Sequence, residues 1–174
     1  VANYVNAEGI IKKLFIDLYK QEYKDKYGKE PENIDQVHNG YFAKTKSDEY
    51  TDNVNSMQKN KEIYNLIMKD KERLLSFEEP LEFIFSHSAL GVGWDNPNVF
   101  QICTLNESHS EAKKRQEIGR GLRICVDKTG ERYRDPDTVT EGQEINLLTV
   151  IPNESYHAFV TQYQDEIVEE TGDT

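Results

Sequence analysis

The chain has 174 residues and a mass of 20.2 kDa, enough for one domain with a hydrophobic core and too little for two ordinary ones. Its formal net charge of −11 argues against a nucleic-acid partner, because binding to phosphate needs clustered Lys and Arg side chains. The acidity is uneven, however: residues 135–174 contain ten Asp and Glu residues and neither Lys nor Arg, while the other 134 residues sum to −1. Residues 111–123 carry five basic and two acidic side chains, so a local basic surface is compatible with the composition.

The first half of the chain contains two predicted helices. Residues 8–27 have apolar side chains at helical spacing (Ile11, Leu14, Phe15 and Leu18), and Gly28 follows as a C-terminal cap. Residues 36–42 (QVHNGYF) indicate a strand with a turn, and the polar stretch 44–56 indicates a loop. Residues 60–75 again show helical spacing and predict the second helix.

The second half alternates predicted strands with helices. Residues 81–87, 99–105 and 145–151 are apolar runs typical of strands that helices cover on both faces. A last amphipathic helix follows Pro152 and Asn153, and a hairpin is predicted to turn at Thr129 and Gly130. Strands interleaved with helices predict an α/β fold with a mostly parallel sheet. We expect a single domain over residues 1–174, in which the acidic end, 135–174, supplies a strand and a helix.

Several residue types indicate structure rather than chemistry. Cys103 and Cys125 lie in apolar stretches and are interpreted as buried, reduced thiols. Trp94 is interpreted as a core or interface aromatic in preference to a base-stacking one. The four histidines lack the spacing of metal ligands, so no metal site is predicted. The sequence has no secretory leader and no apolar run long enough to span a membrane, so we expect a cytoplasmic protein without a membrane partner.

The segment RQEIGRGLRI (115–124) combines three arginines with two glycines in a predicted helix that starts near Ser108 through a capping box. On a helical wheel, Gln116, Gly119, Arg120 and Arg123 share one face, and Ile118 and Leu122 lie on the opposite, packed face. Each glycine costs about 1 kcal/mol relative to alanine inside a helix, so we expect a bulky partner to approach the backbone at Gly119. Neighbouring guanidinium groups suit phosphate oxygens. The alternative is that these arginines are solvated or pair with the chain's own carboxylates.

The stretch FIFSHSALGVGWDNPNVFQICTLNESHSEAKKRQEIGRGLRICVD resembles motifs V and VI of superfamily 2 helicases, in the form found in the restriction (Res) subunit of type III restriction-modification enzymes. The pattern Gln-x-x-Gly-Arg-x-x-Arg is met by Gln116, Gly119, Arg120 and Arg123, and Gly-x-Asp by Gly93 and Asp95. Weaker likeness extends over residues 36–160. One departure is Gly91-Val92, where type III enzymes usually have an Arg-Glu pair before Gly-Trp-Asp.

The resemblance implies a RecA-like three-layer fold, the second lobe of an ATP-dependent motor and endonuclease, with the first strand of its sheet missing. Arg123 resembles the arginine finger that reaches the γ-phosphate of ATP, and Arg120 and Gln116 resemble residues that assist there. Asp95 resembles a residue near the ribose, and Gly93 allows close backbone approach. The resemblance also implies contacts from His87 and Ser88 to the DNA backbone. The implied partners are double-stranded DNA, the N-terminal RecA-like lobe and the methyltransferase (Mod) subunit.

Missing motifs limit what the chain can do by itself. It contains no Gly-x-x-x-x-Gly-Lys-Ser/Thr phosphate loop, and its Asp48-Glu49 pair does not follow an apolar strand. We therefore expect ATP and Mg²⁺ to act in the full-length enzyme, and the isolated fragment to bind neither and to be inactive. Two other interpretations stay open: a lobe of another superfamily 2 helicase, and a non-catalytic domain whose basic helix binds DNA phosphate or an acidic protein.

Overall fold

The computed structural model describes residues 2–6, 9–44, 50–51, 61–86, 94–105, 110–136, 138–140 and 142–172. They form two compact units, Val1–Trp94 and Asp95–Thr174. The division into two compact units does not test whether residues 1–174 fold as a single domain, and that expectation stays a prediction.

The first unit contains five helices and four short strands among its described residues. The helices are α1 (Ala2–Val5), α2 (Ile10–Tyr27), α3 (Ile34–Val37), α4 (Lys61–Met68) and α5 (Lys71–Leu74), and the strands are β1 (His38–Tyr41), β2 (Ala43–Lys44), β3 (Tyr50–Thr51) and β4 (Phe83–Ser86). β1 and β4 pair in parallel, with His38 opposite Phe83 and Tyr41 opposite Ser86.

Helix α2 confirms the first predicted helix, and Gly28 ends it with φ 69° and an N–H bond of 2.8 Å to the Lys24 carbonyl. The packed face differs from the prediction, since Leu14 and Leu18 are 57% and 50% exposed. Phe15 makes the contact with β4 instead, with its ring centroid 5.0 Å from that of Phe83. Aromatic packing therefore fixes which face of this helix is covered.

The core of the first unit is centred on Tyr41 and Ile67, which are 2% and 1% exposed. Trp94 packs against this pair, and its indole N–H donates to the Ile67 carbonyl at 3.2 Å. This confirms the interpretation of Trp94 as a core aromatic.

Two boundaries in this unit differ from prediction. The helix expected over residues 60–75 is interrupted, because Asp70 caps a new helix by accepting from the Arg73 N–H at 3.4 Å. The loop expected over 44–56 is wrong at Lys44 and Tyr50, which pair in an antiparallel ladder. Residues 45–49 and 52–60, with Asp48 and Glu49, lie outside the described residues.

The second unit contains β5 (Gln101–Cys103), α6 (Glu111–Ile118), β6 (Thr149–Ile151) and α7 (Glu154–Thr171). β5 and β6 pair in parallel, and α7 begins at Asn153, whose side chain accepts from the Tyr156 N–H at 3.1 Å. The predicted hairpin is confirmed by the antiparallel bridge between Val126 and Arg132 and by φ 83° at Gly130.

The helices and small parallel sheets are compatible with the predicted α/β class. Coverage of the strands on both faces was a wrong expectation for the described strands, since Phe83 and Ile151 are 37% and 50% exposed. The cysteine interpretation holds for Cys125, which is buried, and is wrong for Cys103, which is exposed at the end of β5. Across the ranges described, no helix is long and apolar enough to cross a membrane.

Candidate functional site

Helix α6 carries the predicted phosphate-binding segment, and its start differs from the prediction. Ser110 is the N-cap, accepting from the Lys113 N–H at 3.3 Å, so the helix does not begin at Ser108. Ser108 itself lies outside the described residues.

The two glycines end this helix. Gly119 closes α6 with its N–H 2.9 Å from the Arg115 carbonyl, and the Gly121 N–H turns back to Ile118 at 2.9 Å. Arg120 and Arg123 therefore lie beyond the helix, and their placement on one helical face with Gln116 was wrong. The physical reason is the low helix propensity of glycine, which makes continuation unfavourable. Leu122, expected to pack beside Ile118, is 49% exposed, whereas Ile118 is 4% exposed.

Gly121 is closely packed against a leucine side chain. A Cβ atom at this position would lie 2.4 Å from Cδ1 of Leu148, well inside normal contact distance. At Gly119, a Cβ would meet the Arg115 carbonyl oxygen at 3.0 Å and no other described atom within 4 Å. These contacts do not test whether a partner approaches the backbone at Gly119, and that expectation stays a prediction.

The structure brings Arg123 and Asp95 together, so Arg123 pairs with one of the chain's own carboxylates, as the alternative interpretation of these arginines expected. One terminal nitrogen (Nη1) of the Arg123 guanidinium forms an ion pair with Oδ1 of Asp95, and their side chains are 37% and 57% exposed. Gln116 is exposed and Arg120 is half-buried. Gly93, His87 and Ser88 lie outside the described residues.

Asn98 joins the segments that carry the two charged residues, and the sequence interpretation did not identify it. Its side-chain amide donates to the Val126 carbonyl at 3.0 Å and accepts from the Val126 N–H at 2.8 Å. The Asn98 N–H in turn donates to Oδ1 of Asn96 at 2.8 Å. The sequence Asn-Pro-Asn signals this local bond, because asparagine side chains commonly accept from the backbone two residues on, but it does not signal the contact with Val126.

The basic side chains of α6 are directed to partners within the chain. The Arg115 guanidinium binds Glu166 on α7 at 2.5 Å and stacks 4.8 Å from the Tyr163 ring centroid. The Lys114 side chain is buried, with its ammonium 5.0 Å from the Tyr156 ring centroid. Glu166 thus pairs with one of the five basic side chains of residues 111–123, and Lys114 is directed to an aromatic ring of the same helix.

The acidic end of the chain also contributes structural bonds. The Asp135 carboxylate accepts from the backbone N–H groups of Ile145 at 2.7 Å and Asn146 at 2.8 Å, and the first of these bonds holds the pKa of Asp135 below its usual range. The Asn146 side chain then accepts from the Cys125 N–H at 2.8 Å. Asp135 therefore has a structural role, because its carboxylate holds the backbone at Ile145 and Asn146. Asp137 and Glu141, also within the acidic end, are outside the described residues.

Comparison with known proteins gives one consistent result. The chain is similar to Res subunits of type III restriction-modification enzymes. It is 47% identical to the EcoP15I Res subunit of Escherichia coli over 113 residues, 65% of this chain and 11% of the relative. It is 46% identical to the EcoPI Res subunit of Escherichia phage P1 over 121 residues, 69% of this chain and 12% of the relative.

The similarity to the StyLTI Res subunit of Salmonella typhimurium is 41% over 107 residues, 58% of this chain and 10% of that protein. The chain thus spans about a ninth of the length of the Res subunits it matches. No protein-family model matches the chain, and no solved structure matches it significantly. These matches confirm the resemblance to Res subunits.

The donors near the ion pair fit an anionic phosphate ligand. Guanidinium groups form forked hydrogen bonds to phosphate oxygens, and each carries five N–H donors, of which the contact with Asp95 engages one nitrogen of Arg123. In the part of the chain that the structure describes, no three His, Cys, Asp or Glu side chains are grouped as metal ligands, so we assign no residue to Mg²⁺.

Proposed function

We propose that this chain is part of the ATP-driven motor of a type III restriction Res subunit, as its second RecA-like lobe. The observation that carries the proposal is the contact between Arg123 and Asp95, because it joins the two segments that resemble motifs VI and V. The similarity to three Res subunits over 107 to 121 residues supports the choice of enzyme.

In this role Arg123 is the arginine finger. Its guanidinium donates to phosphate oxygens and stabilises the negative charge that develops on the transferred phosphoryl group. Arg120 and Gln116 assist at the same phosphates, Gly119 and Gly93 permit close backbone approach, and Asp95 lies near the nucleotide. Such a finger accounts for about 10³- to 10⁵-fold of the rate in phosphoryl-transfer enzymes.

The remaining partners are inferred from the missing phosphate loop and from the resemblance to Res subunits. Without a phosphate loop of its own, the chain requires the N-terminal RecA-like lobe to hold ATP and Mg²⁺. Double-stranded DNA is the track, with His87 and Ser88 as backbone contacts, and the Mod methyltransferase is the partner subunit. We infer that the Gly91-Val92 departure either changes how the motif V segment couples ATP to DNA or removes that coupling.

The competing interpretations are less well supported. The hypothesis that the chain is a lobe of another superfamily 2 helicase does not account for its identities of 41–47% to Res subunits. A simple phosphate-binding helix needs free basic side chains along its length, yet Lys114 and Arg115 pack against α7. If that interpretation held, the isolated chain would bind duplex DNA with a steep dependence on salt.

The test is Arg123→Ala in the intact Res subunit. We expect ATP hydrolysis to fall by about 10³-fold or more while the Kd for ATP changes little, because the finger acts mainly in the transition state. The matched control is Arg134→Ala, which removes an exposed arginine from a loop of the same unit. A wild-type rate in Arg123→Ala would remove the finger assignment and the proposed function with it.

A further inference from the structure

Helix α7 holds the final turns of α6 through side chains that belong to neither resembled motif. Nη2 of Arg115 lies 2.5 Å from Oε2 of Glu166, and Nε2 of Gln162 donates to the other carboxylate oxygen at 3.0 Å. Both oxygens of Glu166 are therefore oriented. The hydrogen bond from Arg115 lowers the pKa of Glu166 below its ordinary value.

The Arg115 guanidinium is fixed on a second side by aromatic rings. Its central carbon lies 4.8 Å from the ring centroid of Tyr163 and 5.7 Å from that of Phe159. Cation–π contacts of this kind attract a guanidinium to the ring face and oppose its movement away from it. A carboxylate and two rings thus determine where Arg115 lies.

Two neighbouring residues of α6 are held by the same helix. Lys114 is 7% exposed, with its ammonium 5.0 Å from the ring centroid of Tyr156 and 5.5 Å from that of Phe159. The Tyr156 hydroxyl donates to the carboxylate of Glu117. Contacts on both sides of Arg115 therefore resist rotation of α6 about its axis.

Arg115 is also connected directly to the turn that bears the two arginines of the proposed site. Its carbonyl accepts the Gly119 N–H at 2.9 Å, which holds the peptide between Ile118 and Gly119, the residue before Arg120. The carbonyl of Ile118 accepts the Gly121 N–H at 2.9 Å, so backbone hydrogen bonds also connect the turn to the end of α6. The orientation of α6 consequently sets the direction in which this turn leaves the helix.

We propose that Arg115 and Glu166 are positioning residues, which hold α6 so that Arg120 and Arg123 meet the phosphates in productive geometry. This inference rests on the proposed function. It assigns the acidic C-terminal helix a part in ATP hydrolysis, although none of its side chains contacts the nucleotide in this account. Small displacements of a catalytic group reduce rate strongly, so the effect is expected in kcat.

The experiment is a double-mutant cycle in the intact Res subunit, with DNA-dependent ATP hydrolysis as the readout. We expect Glu166→Gln and Arg115→Met each to lower kcat about tenfold at nearly unchanged KM, and the double variant to lose no more than either single variant. Glu169→Gln is the matched control, because it removes the same charge from an exposed position on α7 and is expected to keep the wild-type kcat. Arg115→Lys, which keeps the charge but loses the planar fork, is expected to fall between the wild type and Arg115→Met.

The outcomes separate this inference from the function on which it rests. A wild-type kcat in Glu166→Gln or Arg115→Lys, or losses that multiply in the double variant, would overturn the positioning role. If Arg123→Ala abolishes hydrolysis in the same subunit while Glu166→Gln retains it, the motor assignment stands and only the positioning role fails. A wild-type rate in Arg123→Ala would instead remove the motor assignment. If Glu166→Gln does not fold, the kcat of Arg115→Lys decides the matter.

Discussion

Replacing Gly121 by alanine tests whether the turn after α6 is packed as the structure describes. The new Cβ would lie 2.4 Å from Cδ1 and 2.9 Å from Cδ2 of Leu148, so the leucine side chain or the turn has to move. Gly121 is buried and its N–H is bonded to the Ile118 carbonyl, which limits movement of the turn. Gly121 does not have a positive φ, so the backbone itself permits alanine.

The expected net loss in the free energy of unfolding is about 1.3 kcal/mol, the difference between the middle of the overpacking range, about 1 to 3 kcal/mol, and the middle of the gain from alanine through the unfolded state, about 0.4 to 1 kcal/mol. Urea unfolding of the chain measures it, with Gly119→Ala as the matched control. A Cβ at Gly119 meets a single carbonyl oxygen at 3.0 Å, so we expect a smaller change there. Equal stability of Gly121→Ala and the wild type would refute the packing argument.

Three further predictions concern single groups and the whole chain. Burial lowers the pKa of His38 below its ordinary 6.5, so the unfolded state takes up the proton at a higher pH than the folded state. The free energy of unfolding should therefore fall as the pH drops below about 6.5. Urea unfolding across this range would show the slope, and His38→Gln should remove it. Nearby Lys12 also lowers this pKa and Asp35 opposes it. Cys103 is exposed and Cys125 is buried, so a thiol reagent should modify Cys103 first in the native chain, and equal rates would contradict the burial. The isolated chain should hydrolyse no ATP; activity that follows the protein through repeated purification would contradict this.

Local signals in the sequence predicted the ends of several elements correctly. Gly28 ends α2 in the left-handed conformation, and Asn153 caps α7, because caps depend on residues within one helical turn. The hairpin at Gly130 was likewise readable from its turn residues. Such signals need no knowledge of the rest of the fold.

The geometry of the candidate site was less predictable, because long-range contacts decide it. A helical wheel assumes that the helix continues, whereas α6 ends at Ile118 with Gly119 as its cap, and Gly121 in the following turn packs against Leu148. The contact between Arg115 and Glu166 joins residues 51 positions apart, which no local pattern indicates. The candidate residues were identified from their spacing and from the resemblance to helicase motifs, but their neighbours required the structure.

The role of Arg123 as an arginine finger is tested most directly by the affinity of the intact Res subunit for a transition-state analogue, ADP with aluminium fluoride and Mg²⁺. If Arg123 stabilises the transferred phosphoryl group, Arg123→Ala should weaken binding of this analogue by about 10³-fold or more and leave the Kd for ADP nearly unchanged. Arg134→Ala should bind both ligands as the wild type does. Equal affinity of Arg123→Ala and the wild type for the analogue would contradict the account.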